Sequence, residues 1–268
     1  MKFSFPLLLF AVIQNSLSFD WCTMNCQQAK HIACERMGQC DSLGACSFVT
    51  LDPDELLEHH NHYRSMFANG EEPQSGGLKV SNMMALVWNE ELAFTASCNL
   101  AACEGMKHDQ CRGVPDYPAA GQNLWSTSFS GGGDCKSKAA SAVKLWYDEI
   151  KLITSADIKK KGTGWSSDGV SGHFTQVVWA QTEAVGCALT ELKKSGMTDC
   201  TLACNYGPSG NVLGGSMFIE GPPCSNCPEN VKCGKVKDGL CGSAIRSYSK
   251  PSLCFISIIF VLLVQVIK

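Results

Sequence analysis

Four polar positions have side chains suited to chemistry: His108, Gln122, Glu149 and His173. His173 follows Gly172 and opens the run Phe174-Thr175-Gln176-Val177-Val178-Trp179, which reads as a buried strand. A histidine there is either a core residue with its hydrogen bonds met or a site residue able to bind metal or move a proton. Glu149 closes Trp146-Tyr147-Asp148-Glu149 on a helical pattern, where an acid is ordinarily a surface residue. His108 falls in a loop, and Gln122 lies in Gly121-Gln122-Asn123-Leu124 beside a strand. Two imidazoles and a carboxylate suit a zinc-like ion, but residues so far apart in sequence meet only if the fold brings them together. Other catalytic motifs are absent: there is no His-Glu-x-x-His helix, Gly-x-Ser-x-Gly elbow or Gly-Lys-Ser phosphate loop.

The chain has 268 residues, 45% of them apolar and 18% charged, enough for one large domain with appendages and too apolar for a disordered chain. A net charge of −3, from 22 basic and 25 acidic residues, leaves no basic field for a phosphate backbone, so nucleic acid is not an expected partner. The short runs Lys159–Lys161 and Lys193–Lys194 read as solvated faces. Seventeen cysteines indicate an oxidising compartment and a disulfide framework. Each can be claimed by a disulfide, so no thiol nucleophile is expected.

Both ends carry processing patterns. Lys2, the apolar run Phe3 to Ile13 and Ser16-Leu17-Ser18 form a signal peptide over 1–18, cut after Ser18. Near the other end, Gly242-Ser243-Ala244, a polar spacer and the apolar stretch Leu253 to Ile267 form a glycolipid-anchor signal over 243–268. The alternative is a tail-anchoring helix, but that stretch falls short of the ~20 residues a span needs. Loss of Cys254 with the tail would also leave an even number of cysteines. The expected protein is therefore secreted and held at the outer face of the plasma membrane, or released outside the cell. No Asn-x-Ser/Thr sequon is present.

Between the ends lie a cysteine-rich segment at 19–50, a main domain at 51–222 and a short cysteine-rich extension at 223–242. A first helix opens with Asp52 as N-cap and Pro53 in its first turn, repeats apolar or ring residues at Leu56, His60, Tyr63 and Phe67, and stops at Gly70. A second starts at Asn89 with Glu90 and Glu91 in its first turn and runs to Cys103. A third follows Ala139, Val143, Trp146 and Ile150. Phe174 to Ala180, Val185 to Leu189 and Leu202 to Tyr206 read as strands. Early helices and late strands predict an α+β fold with helices packed on a small antiparallel sheet.

Gly172-His173-Phe174-Thr175-Gln176-Val177-Val178-Trp179-Ala180-Gln181-Thr182 resembles the first signature of the CAP superfamily, the cysteine-rich secretory, antigen-five and pathogenesis-related proteins. Leu202-Ala203-Cys204-Asn205-Tyr206-Gly207-Pro208-Ser209-Gly210-Asn211 resembles the second. His60-Asn61 with Tyr63-Arg64, and Val87-Trp88-Asn89-Glu90-Glu91-Leu92-Ala93, are similar to its opening segments. Gly121-Gln122-Asn123 and the N-terminal cysteines point to the venom-allergen or antigen-five branch. Thr201 departs from the apolar residue with which the second signature usually starts.

The resemblance implies a three-layer α–β–α sandwich and a cleft of two histidines and two glutamates, carried here by His108, His173 and Glu149 with Gln122 in the fourth place. It also implies a Cys187–Cys204 disulfide and ties from the N-terminal segment to Cys103 and Cys111. An amide at Gln122 supplies neither an acid nor an anionic ligand. No cofactor is therefore required, and zinc or another divalent cation is expected to bind His108 and His173 only weakly. The leading expectation is a non-catalytic binding module for a lipid, a sterol or an extracellular protein. The alternatives are a metal-dependent hydrolase working through the cleft histidines and a channel-modulating, venom-like protein.

Overall fold

The computed structural model describes residues 19–41, 44–234 and 237–242. The expected signal peptide at 1–18 and the expected anchor signal at 243–268 lie outside the described residues. Among the described residues no helix is long and apolar enough to cross a membrane.

The elements in chain order are α1 (Ile32–Glu35), β1 (Cys46–Val49), α2 (Pro53–Ala68), β2 (Val87–Trp88), α3 (Glu90–Leu100) and β3 (Gly121–Ser130). They continue as α4 (Cys135–Ala139), α5 (Ala142–Asp148), α6 (Ser155–Lys161), α7 (Gly172–Val177), β4 (Ala184–Lys194) and β5 (Met197–Gly207). Asp52 caps α2 by accepting from the amides of Asp54 and Glu55, and Asn89 caps α3 by accepting from Leu92. The sheet runs β1-β4-β5-β3 with antiparallel pairs, and the two-residue β2 joins β4 in parallel. The α+β expectation holds.

Alternation along the strands divides the sheet into two faces. Leu124, Ala188 and Ala203 pack under Ala96 and Leu100 of α3. The other face, including Val185, Leu189, Leu202 and Tyr206, joins a larger core with Phe67 of α2, Val143 and Trp146 of α5 and Phe174 of α7. A helix on one face and a helical layer on the other give the three-layer sandwich.

The backbone of α3 comes close to the sheet at Gly186, where an added Cβ would lie 2.2 Å from the Ala93 nitrogen and 2.4 Å from the Asn89 oxygen. Both are backbone atoms, so α3 would have to lift. Gly186→Ala is expected to destabilise the protein by about 3 kcal/mol, the upper end of overpacking costs. Urea denaturation checks this; a midpoint unchanged from the parent would contradict the packing described.

Eight disulfides staple the described residues. Cys26–Cys111, Cys40–Cys98 and Cys46–Cys103 tie the N-terminal segment to the domain, with Cys22–Cys34 inside it. Cys187–Cys204 joins β4 to β5, and Cys135–Cys200 fastens α4 to β5. Cys224–Cys233 and Cys227–Cys241 close the last segment, whose Cys241 exchanges backbone hydrogen bonds with Met83 and Ala85.

Three local expectations are corrected. The supposed strand at Phe174 to Ala180 is α7 followed by an irregular exit. The third helix is not continuous: α5 ends at Asp148 and Glu149–Leu152 is a 3-10 turn. Lys161 is not on a solvated face. It is 6% exposed and its Nζ lies 2.9 Å from Asp168 Oδ2. Burial opposes ionisation of Asp168, but hydrogen bonds from Ser171, Val170 and Lys161 overcome it and hold the carboxyl far below the usual range.

Candidate functional site

The site residues form two pairs. In the first, Glu149 sits just after α5 and reaches the start of α7. Its Oε2 accepts from the backbone amides of His173 at 2.9 Å and Phe174 at 3.1 Å, and its Oε1 accepts from His173 Nδ1 at 2.6 Å. This fixes the His173 tautomer and leaves Nε2 facing away from the carboxylate. Trp146 stacks on the imidazole with ring centroids 6.2 Å apart. Both members are partly exposed.

In the second pair, His108 Nδ1 donates to Gln122 Oε1 at 2.6 Å. The same oxygen accepts a longer bond from Asn99, while Gln122 Nε2 donates to Asp109 Oδ2 and Asn205 Oδ1, both at 3.0 Å. Gln122 thus uses two donors and two acceptors, the full capacity of an amide. Asn205 in turn donates to Thr95 and Leu92 of α3, and Asp109 is paired with Arg112.

These pairs lie on opposite sides of β3. Gln122 points toward the α3 layer, whereas the next residue, Asn123, donates to the His173 carbonyl and to the Tyr206 hydroxyl. Strand alternation requires this separation. Among the described residues, the only three His, Cys, Asp or Glu ligand atoms within 4.8 Å of one another belong to Cys224, Cys227 and Cys241. Those sulfurs are in disulfides and are not thiolate ligands. His108, Glu149 and His173 therefore do not converge as a three-ligand metal set.

Behind the Glu149–His173 pair is a buried network that residue-by-residue reading of the sequence does not assign. His60 Nδ1 donates to the Leu56 carbonyl, and its Nε2 accepts from the Tyr206 hydroxyl at 2.9 Å. Burial lowers the His60 pKa to about 4 and raises that of Tyr206 well above its ordinary value, so both are neutral. Arg64, one turn along α2, is completely buried and donates to the carbonyls of Met84, Val177, Trp179, Ala180 and Thr182. Their sequence signal was present in His60-Asn61 and Tyr63-Arg64, though only as part of a familiar pattern.

A disulfide-stapled α–β–α sandwich, with a glutamate–histidine pair at the start of α7 and a second histidine tied to the edge strand, defines a class of protein as well as a fold. Residues 57–206 match the family model described as CAP, the cysteine-rich secretory protein family, and the chain belongs to that family. It is 38% identical over 215 residues to "CRISP/Allergen/PR-1" of Trittame loki, an alignment covering 75% of this chain and 51% of that protein. The chain thus spans about half the length of that relative. It is also 32% identical to venom allergen 5 of Polistes fuscatus, over 73% of this chain and 96% of the relative. Among solved structures, NaASP2 with Zn2+ superposes with a TM-score of 0.51 at 30% identity, over 71% of this chain and 94% of that one. Venom-allergen-like relatives and extensive disulfides place the protein among extracellular proteins.

Proposed function

We propose that the protein is a non-catalytic binding module for a lipid, a sterol or an extracellular protein partner, held at the outer cell surface by a C-terminal glycolipid. The observation that carries the non-catalytic reading is the saturation of the site. Gln122 spends its amide on four partners, and both Glu149 oxygens are committed to α7 and its histidine. A hydrolase needs a free general base and an activated water or nucleophile. His173 could serve as a base, but no hydroxyl or thiol is bonded to its Nε2 among the described residues. Membrane attachment rests on the terminal sequence pattern. Organic extraction of native protein and mass spectrometry of the extract test the ligand reading. A co-purifying lipid is expected, and zinc-dependent peptide cleavage abolished by His173→Ala would overturn the module. Phosphatidylinositol-specific phospholipase C is expected to release the protein; retention with an intact C-terminal peptide would favour a tail anchor.

Zinc supplies a second test. The wild type should bind it weakly, because its two histidines lie in separate pairs and Gln122 adds no charge. Gln122→Glu would set a carboxylate beside Asp109 Oδ2, which is now 3.0 Å from the amide nitrogen. Two carboxylates next to His108 attract a cation far better than one. Calorimetry should show zinc binding at least about tenfold tighter in the variant, and equal affinities would show the amide to be irrelevant.

A further inference from the structure

We propose that the end of the sheet beyond α3 is a second binding site, separate from the histidine pairs, for a small hydroxylated primary amine. The geometry starts from a mismatch in length. α3 has 11 residues, about 16 Å of helix, while β4 and β5 have 11 residues each, about 36 Å of strand. The helix covers the apolar rows around Leu124, Ala188 and Ala203 and stops at Leu100. The sheet continues with two further rows on the same face. Ser126, Thr201 and Thr190 stand side by side in the first, and Ser128, Asp199 and Leu192 in the second.

These rows floor a cavity of about 220 Å³. Leu100 and the Cys46–Cys103 disulfide form its wall. At this size the cavity suits a compact ligand rather than an acyl chain.

The floor has unmet hydrogen-bonding capacity. Thr190 and Thr201 are 4% and 9% exposed, yet Thr190 Oγ1 makes only a 3.5 Å contact with the Thr201 carbonyl. The Ser126 side chain is exposed, and neither its hydroxyl nor that of Thr201 bonds to another described residue, so both are open to a ligand in the cavity. Thr201 is also where the chain departs from the usual apolar start of the second signature, and an apolar side chain there would interrupt the row.

Charge selects the ligand. Asp199 accepts from Ser128 Oγ and has no cationic partner among the described residues. Lys194 lies on the same face nearer the β4–β5 turn, but it is exposed and forms no ion pair with Asp199. The carboxyl end of α3 adds partial negative charge from its last carbonyls. An ammonium answers both, hydroxyls answer the threonine row, and an aromatic or short carbon body packs on Leu100, Leu192 and the disulfide. A neutral sugar would leave the carboxylate uncompensated.

Calorimetry on the full mature chain with tyramine as probe tests the site, with amide NMR shifts to locate it. Saturable binding is expected, with shifts centred on Ser126, Thr190 and Thr201. Asp199→Asn should weaken binding at least about tenfold, the usual scale for a charge-assisted hydrogen bond. Thr201→Val should weaken it a few-fold at unchanged melting temperature, and neutral 4-ethylphenol should bind far more weakly. No saturation up to about 10 mM, equal binding of the neutral analogue, or an unaffected Asp199→Asn variant would overturn the proposal.

Discussion

Arg64→Leu is expected to cost about 5 kcal/mol or more, comparable with the whole stability of an ordinary domain. The guanidinium is buried and forms no ion pair with an acid among the described residues. Its charge is met instead by five carbonyl oxygens through six hydrogen bonds at 2.7–3.3 Å. Burial lowers its pKa to about 9, which still leaves it protonated at neutral pH. Two of the carbonyls, Trp179 and Ala180, also accept from the backbone amides of Thr182 and Met84. Those of Met84, Val177 and Thr182 would be left buried without that donor, at about 1–3 kcal/mol each. The leucine would also fill the space poorly. Arg64→Lys keeps the charge but has too few donors for five acceptors, so an intermediate loss is expected. Chemical denaturation with intact disulfides would measure both. A leucine variant within about 1 kcal/mol of the parent would show that water replaces the guanidinium and that the cage is not structural.

Arg64 also explains where the sequence was legible and where it was not. The helices α2 and α3 could be read because their signals are local: Asp52 and Asn89 are caps, and apolar residues recur at helical spacing. The strands β4 and β5 could be read in part, because their β-branched and apolar runs are short and punctuated by Gly and Pro. α7 could not. Phe174-Thr175-Gln176-Val177-Val178 has strand propensity, and its six-residue helix is held from outside its own sequence. Glu149 accepts from the amides at its start, and Arg64 donates to the Val177 carbonyl at its end. Tertiary contacts override propensity in so short a segment. The same reasoning applies to the site. The residue types at His108, Gln122, Glu149 and His173 could be singled out, but their division between two faces of β3 depends on strand phase. That phase becomes visible only when Asn123 bonds to the His173 carbonyl while Gln122 bonds to Asn205.

Acidification should weaken the fold through His60. Its ring is fully buried and neutral, donating from Nδ1 to Leu56 and accepting at Nε2 from the Tyr206 hydroxyl. Protonation would put a second donor where Tyr206 already donates, close to the permanent charge of Arg64. Desolvation is the main reason its pKa falls from 6.5 to about 4, with the Arg64 charge adding to the effect. Between these two values the unfolded chain binds the proton that the folded chain refuses, so stability falls as pH drops through this window. A separation of that size corresponds to about 3 kcal/mol lost between pH 7 and pH 4. Carboxylates held low by hydrogen bonds, such as Asp168, act further into acid and leave the window largely to His60. His60→Phe removes the titration, although the Tyr206 hydroxyl loses its acceptor and the variant starts less stable. Unfolding free energies measured at several pH values should therefore fall steeply for the parent from pH 7 to 4 and much less for the variant. Equal slopes would mean that the proton is taken up elsewhere and that the His60–Tyr206 bond is not the acid-sensitive point of the core.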